Sequence, residues 1–241
     1  MVAAKVIEQR VMTIPEDKVF TINDLQFSSE WWVNISVKLG RMVTEGVLRK
    51  IGKGRFYRPR QSIFGELPPK EAEIVKDLLE KDGKRIGYIT GYSIWNQMGL
   101  TTQISGIIQI GTNGTKRNLT RGDYKVKFIK QPNEITDDNI KYLIVLDAIS
   151  HIGKIPDTTI TDSVERLTMI IEKFKKEEIE IMVSLAAAYP ARLRALLGAM
   201  LENMGYNKET EVLFQSLNPL TTYSFPGLAE SMSNSHKWNI K

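Results

Sequence analysis

Asn34, Lys38 and Arg41 recur at the spacing of one helix face and carry the groups that read base edges. At i, i+4 and i+7 they project from the same side of a helix. There an Asn can pair bidentately with adenine, and a Lys or Arg with guanine. Any amphipathic helix needs a solvated polar face, so these three residues alone specify no ligand. The segment behind them adds a second signal. Lys50, Lys53, Arg55, Arg58 and Arg60 surround a Gly52-Lys53-Gly54 turn between two strand-forming runs, Val47–Ile51 and Arg55–Arg58. That pattern predicts a β-hairpin whose tip, Lys53 and Arg55, reaches a phosphate or the adjacent minor groove, flanked by Lys50, Arg58 and Arg60. Residues 1–60 hold 11 Lys/Arg against 6 Asp/Glu, while residues 61–241 hold 22 of each, so the formal excess of +5 belongs to the first quarter of the chain. Charge concentrated in this way is the footprint of a small nucleic-acid-binding module joined to a neutral body.

Other chemistry finds little material. There is no cysteine, and His151 and His236 are the only imidazoles, so thiolate nucleophiles, disulfides and cysteine-based metal sites are excluded. Gly111–Arg117 (GTNGTKR) has the look of a phosphate loop but not the Walker spacing. It reads as a basic turn whose cluster with Arg121 could touch a nucleic-acid backbone. Asp137-Asp138 and Glu177-Glu178-Glu180 fall at predicted helix ends, where negative charge is favoured or solvated. His151, two residues before Gly153, reads as a helix cap or a surface residue. No metal site, cofactor or catalytic set is expected. The apolar stretches are interrupted by Asp147 or by Tyr189-Pro190, so a cytoplasmic protein without membrane contact is the expectation.

The elements that must position these residues follow from periodicity. Val2, Val6, Ile7, Val11 and Ile14 predict a first helix stopped by Pro15. Thr21 with Asp24 predicts a short capped second helix ending near Phe27. Ser28 and Ser29 are expected to cap a third, whose apolar stripe is Trp32, Ile35, Leu39, Met42 and Val43. Three helices and a basic hairpin make a winged helix-turn-helix over residues 1–60. The Pro/Gly-rich stretch leading to Pro69 (61–69) reads as a linker, and 70–241 as the body. Within the body, 70–135 should be mixed α/β, with a helix over Glu71–Glu80 closed by Asp82-Gly83 and strands at Ile107–Ile110 and Tyr124–Lys130 around an Asn113-Gly114 turn. Residues 136–241 should be mainly helical, with helices starting at Thr136 and Thr161, a buried helix over Ile179–Tyr189, another over Ala191–Gly205, and Trp238 anchoring the tail. The fold class is thus α+β.

The body also carries a family likeness. Tyr88–Gln103 (YITGYSIWNQMGLTTQ), Tyr189–Glu202 (YPARLRALLGAMLE) and Ser216–Pro219 (SLNP) resemble the AbiEi antitoxins of bacterial type IV toxin–antitoxin, abortive-infection systems, and the likeness spans nearly the whole chain. It implies a bifunctional protein. The winged helix would bind repeats in its own promoter, as a dimer on inverted repeats, and repress the operon. The C-terminal domain would oppose a nucleotidyltransferase toxin without requiring a stable complex with it. Carried onto this chain, the DNA-binding role falls on Ser28, Ser29, Asn34, Lys38, Arg41, Lys50, Lys53, Arg55 and Arg58. The regions to test for antitoxic function are those of Tyr88, Thr90, Tyr92, Thr101, Gln103, Arg192 and Arg194, for which packing is an equally open role. Two other classes stay open: an enzyme acting on nucleic acid with the winged helix as its targeting arm, and a winged-helix adaptor that binds only protein.

Overall fold

The computed structural model describes residues 2–241 and is mixed α+β: helical at the N-terminus, with small sheets in the middle and a helical C-terminal region. It contains two compact units. One comprises the chain up to Leu79 together with Asn118–Val126; the other comprises Glu80–Arg117 and Lys127–Lys241.

In the first unit, helix α1 (Val2–Met12) is followed by a 3-10 turn at Asn23–Leu25, a second at Ser29–Trp31, and helix α2 (Trp32–Thr44). Asp24 reaches back to accept from the backbone N–H of Thr21 at 2.6 Å and from its hydroxyl at 2.8 Å, a clasp that fixes a single 3-10 turn where a short helix was expected. Ser28 stands in extended conformation before α2 but makes no side-chain capping bond. Ile7, Val11, Phe20, Leu25, Ile35, Leu39, Met42 and Leu48 form the core, with Trp31 stacked on Phe27 at 5.2 Å. Trp32, expected in that stripe, is 49% exposed; Trp31 takes the inner position.

Strands β1 (Arg49–Gly52) and β2 (Arg55–Tyr57) form the predicted antiparallel hairpin, with Gly54 at φ +67° in its turn. Phe20 adds a third rung, exchanging both backbone bonds with Phe56 at 2.8 and 2.9 Å. Helix, short turn, helix and three-rung hairpin follow the order of a winged helix-turn-helix.

The stretch expected to be a linker is itself a hairpin. β3 (Arg60–Ser62) pairs with β4 (Gly65–Leu67), and Ile63 and Phe64 at its tip are almost fully exposed. Beyond it, the single helix expected over Glu71–Glu80 is two short ones, α3 (Glu71–Ile74) and α4 (Lys76–Leu79), broken at Val75. Asp82-Gly83 does not close a helix: both residues take positive φ (51° and 72°) and turn β5 (Glu80–Lys81) into β6 (Lys84–Arg85).

The second unit opens with β7 (Tyr88–Thr90), α5 (Tyr92–Gln97) and β8 (Ile107–Thr112), which pairs antiparallel with β7. Asn113 does not lead directly into the next long strand. Its amide donates to the carbonyls of Gln131 and Asn133; β9 (Leu119–Arg121), which belongs to the first unit, pairs antiparallel with the start of β10 (Tyr124–Lys130). Five helices follow: α6 (Ile140–Ser150), α7 (Ile160–Ile171), α8 (Lys176–Ala186), α9 (Ala191–Asn203) and α10 (Asn207–Gln215). The start of α7 is set by Thr159, whose hydroxyl oxygen accepts from the Asp162 N–H at 3.0 Å, two residues earlier than Thr161 suggested. Their apolar faces and the tail enclose one large core. Trp238 anchors that tail as expected: it is 1% exposed, lies against the backbone of Gly198, and donates from its indole N–H to Glu202 at 2.8 Å.

Candidate nucleic-acid interface

The phase of α2 decides what the first unit presents. Ile35, Leu39 and Met42 face the core, so the opposite side carries Val33, Ser36, Val37, Gly40, Arg41 and Thr44, all exposed. Val33 is 75% and Val37 51% exposed, high values for β-branched apolar side chains on a helix. The sequence stripe that included Trp32 had turned the helix toward its polar flank and missed this face. Taking Ile35, Leu39 and Met42 alone as the inner line would have found it.

Of the basic residues expected to meet DNA, the structure divides the set. Arg41, Lys50 and Lys53 are exposed and enter no ion pair among the described residues; Ser28, Ser29 and Asn34 are exposed as well. The others serve the fold. Lys38 lies on the flank of α2 nearest α1, pairs with Glu8 at 2.7 Å, and has a side chain only 14% exposed. Arg58 donates to the carbonyls of Met12 and Ile14, both at 2.9 Å, and so satisfies orphan groups at the end of α1. Arg55 reaches Asp77 at 2.6 Å. Arg49 grips Glu66 with two bonds, and Arg60 pairs with Asp17. Lys38, Arg55 and Arg58 thus each have a carboxylate partner within the fold, that of Arg58 being Glu16 at 3.6 Å. Between α2 and the wing lies a cleft of about 360 Å3 lined by Ser36, Gly40, Val43, Lys50, Gly54 and Phe56, among others. A phosphate backbone seated along it would meet the Lys50 ammonium.

Arg121, expected to add to a basic cluster, is buried. It donates to the Ile74 carbonyl and binds Asp77 through both guanidinium ends. Asp77 thus receives Arg121 and Arg55 together. Burial pushes its carboxyl up, but the two guanidiniums outweigh it and hold the group below the ordinary carboxylate range.

In the second unit the candidates near Tyr88 turn inward. Asp147, buried on α6, accepts from Tyr88 Oη at 2.6 Å, Tyr189 Oη at 2.9 Å and Thr90 Oγ1 at 3.0 Å. Gln131 Nε2 donates to both phenol oxygens, at 2.6 and 2.7 Å. Burial raises the Asp147 carboxyl above its usual range despite three hydroxyl donors. Burial together with the Asp147 charge raises both phenols. This buried network joins β7, α6, Gln131 and Tyr189, which follows α8. Tyr88 (3% exposed) and Thr90 (1%) accordingly offer no contact surface, nor does Thr101, whose hydroxyl oxygen accepts from the Gln103 N–H. Asp147 had registered in the sequence only as an interruption of an apolar run. Tyr92 packs edge-on against Trp95. Arg192 lies over the Phe225 ring at 4.0 Å and donates to Ser224 O, and Arg194 donates to Ser216 O, so both hold the tail. Gln103 alone of these candidates is exposed. His151 caps α6, its Nδ1 lying 2.9 Å from Asp147 O. Among the described residues no group of three or more His, Cys, Asp or Glu is placed to hold a metal ion, and no helix is long and apolar enough to cross a membrane.

Among curated proteins, none is significantly similar to this chain. The crystal structure of the RV2827C protein from Mycobacterium tuberculosis is similar in fold, with a TM-score of 0.62 at 13% identity over 99% of this chain and 90% of that one. A family model matches residues 6–180, which take in the winged helix, the Asp147 carboxyl and the sheet that supports it: the chain belongs to DUF6088, a family of unknown function.

Proposed function

We propose that this protein is a DNA-binding autorepressor and antitoxin of a type IV toxin–antitoxin system. In this reading its first unit binds promoter DNA through α2 and the wing, as a dimer on inverted repeats, and its second unit counters a nucleotidyltransferase toxin. It does so in the cytoplasm and without catalysis. The observation that carries the DNA half is the sorting of charges. Five basic residues of the N-terminal run pair with carboxylates of the same unit, whereas Arg41, Lys50 and Lys53, exposed on α2 and the wing, enter no ion pair among the described residues. Unpaired cations beside a helix that presents its side chains outward suit a phosphate-lined major groove. The antitoxin half rests on the likeness of Tyr88–Gln103, Tyr189–Glu202 and Ser216–Pro219 to AbiEi proteins. Within the Tyr88–Gln103 block, Asn96, Gln97, Gly99, Thr102 and Gln103 are exposed for a direct contact, and the Asp147 network reads as their support.

Two assays test the halves separately. A mobility shift with the duplex upstream of the gene should show retardation that a random duplex of equal length does not compete away. Equal competition would remove the repressor reading. Co-expression with the nucleotidyltransferase encoded beside it should restore growth; failure to do so would remove the antitoxin reading.

A further inference from the structure

Resting on the DNA-binding reading above, we infer that α2 reads thymine methyl groups, with Val33 and Val37 as the specificity-determining residues. Three observations converge on that face. Val33 and Val37 are exposed one turn apart near the N-terminal end of α2, the end that enters the major groove in a helix-turn-helix. The side chain next on the same line is Arg41, four residues on, exposed and in no ion pair among the described residues. Beside them sits Gly40, where an added Cβ would meet nothing within 4 Å. A glycine in the middle of a helix costs stability relative to alanine, and here no neighbouring atom and no positive φ requires one. Its use is close backbone approach by something outside the chain.

The chemistry of the occupant follows from the mixture. Exposed valines on a helix that also presents Arg41, with Lys50 and Lys53 exposed on the wing, need a partner that is anionic at its edges and offers small apolar groups within. The major groove of an A·T-containing duplex has that character: phosphates along its rims, and in its floor the C5-methyl of thymine, the one apolar group a base pair shows there. One helical turn rises 5.4 Å, against 3.4 Å per base pair, so Val33 and Val37 address thymines one or two steps apart. Arg41, a further turn along, falls on a neighbouring guanine. The site thus favours T-containing steps followed by G.

The test starts from a random 20-base-pair duplex pool selected against the full-length protein. The best duplex is then resynthesised with deoxyuridine replacing each thymine in turn, which deletes only the methyl. At two positions the substitution should weaken binding about fourfold each, the value of one buried methyl group. Val33→Ala and Val37→Ala should each abolish the effect at one position and leave the other. Both valines are exposed and alanine is the better helix former, so the variants fold. Selected duplexes that bind equally well with uridine throughout would overturn the methyl reading while DNA binding stands. Uridine sensitivity that persists unchanged in both variants would overturn the assignment to these valines. A pool that yields no preferred sequence and no binding would overturn the DNA-binding reading as well, and would return the face to a protein partner.

Discussion

Salt dependence separates the two kinds of basic residue in the first unit. If all eight basic side chains from Lys38 to Arg60 faced phosphates, log affinity against log salt would fall with a slope of about −7 per protomer, at roughly 0.9 per neutralised phosphate. Arg41, Lys50 and Lys53 enter no ion pair among the described residues; with two or three of them on phosphates, the expected slope is about −2 to −3. Between 50 and 200 mM salt that amounts to roughly a 15- to 60-fold loss of affinity. The sharpest contrast lies within the wing. Lys53→Ala removes a free cation, so its slope should shrink by about 0.9 and its loss over the same salt range should be about 3.5-fold smaller. Arg55→Ala, two residues away, removes one of the two guanidinium partners of Asp77, the one at 2.6 Å. It should leave the slope unchanged and lower stability by up to about 1 kcal/mol, since the pair is partly solvated. Fluorescence anisotropy of a labelled duplex at five salt concentrations, with a urea titration of each variant, measures both. A slope near −7, a flat line, or an Arg55→Ala slope that shrinks as much as that of Lys53→Ala would each refute the sorting of charges.

Three further outcomes are expected. Asp147 has its carboxyl raised, so the folded chain holds that proton more tightly than the unfolded one. Its contribution is complete below the unfolded pKa and is lost as pH rises through the folded one. The stability of wild type relative to Asp147→Asn should therefore fall as pH is raised from about 4, in paired urea titrations; a difference that grows with pH would contradict it. Asp77 has the opposite sign, its contribution present above the unfolded pKa and lost as pH falls. Asp77→Asn strands the buried Arg121, and with screening at the half-exposed carboxylate allowed for, it should cost about 1–3 kcal/mol at neutral pH and less in acid. Equal cost at both pH values would argue against an ionic role. Gly198→Ala places a Cβ 2.1 Å from the Trp238 ring and should destabilise by about 1–3 kcal/mol with a change in tryptophan fluorescence; an unchanged urea midpoint would show that the tail does not need this contact.

Much of the scaffold was legible because its signals are local. Pro15, the Gly-Lys-Gly turn, the 100° stripe of Ile35, Leu39 and Met42, and Pro190 each announce an element within a few residues. What was not legible is long-range. Lys38, Arg55 and Arg58 look identical to Lys53 in a sequence; only the fold brings Glu8, Asp77 and the carbonyls of Met12 and Ile14 to them. The same holds for Arg121 and for Asp147, whose three hydroxyl donors come from residues 42 to 59 positions away. At Trp31-Trp32 two equal side chains compete for one inner position, and periodicity chose the wrong one. At Asp82-Gly83 both a helix stop and a primed turn are good local solutions, and pairing of Glu80–Lys81 with Lys84–Arg85 selects the turn.

The first unit draws on two stretches of chain, the beginning through Leu79 and Asn118–Val126, with 38 residues of the other unit spliced between them. No single cut can therefore release either unit whole. A deletion of residues 1–60 would take Ile51 from beside Gly122 and strip Val19 from Glu73 and Lys76, leaving the remnant of that unit as an unfolded appendage on the body. A crossover that exchanged DNA specificity between relatives would have to carry both stretches, or be confined to α2 and the wing, where the exposed residues change without disturbing a partner. The interleaving ties the two halves into one heritable block while leaving the outward face of a single helix free to vary.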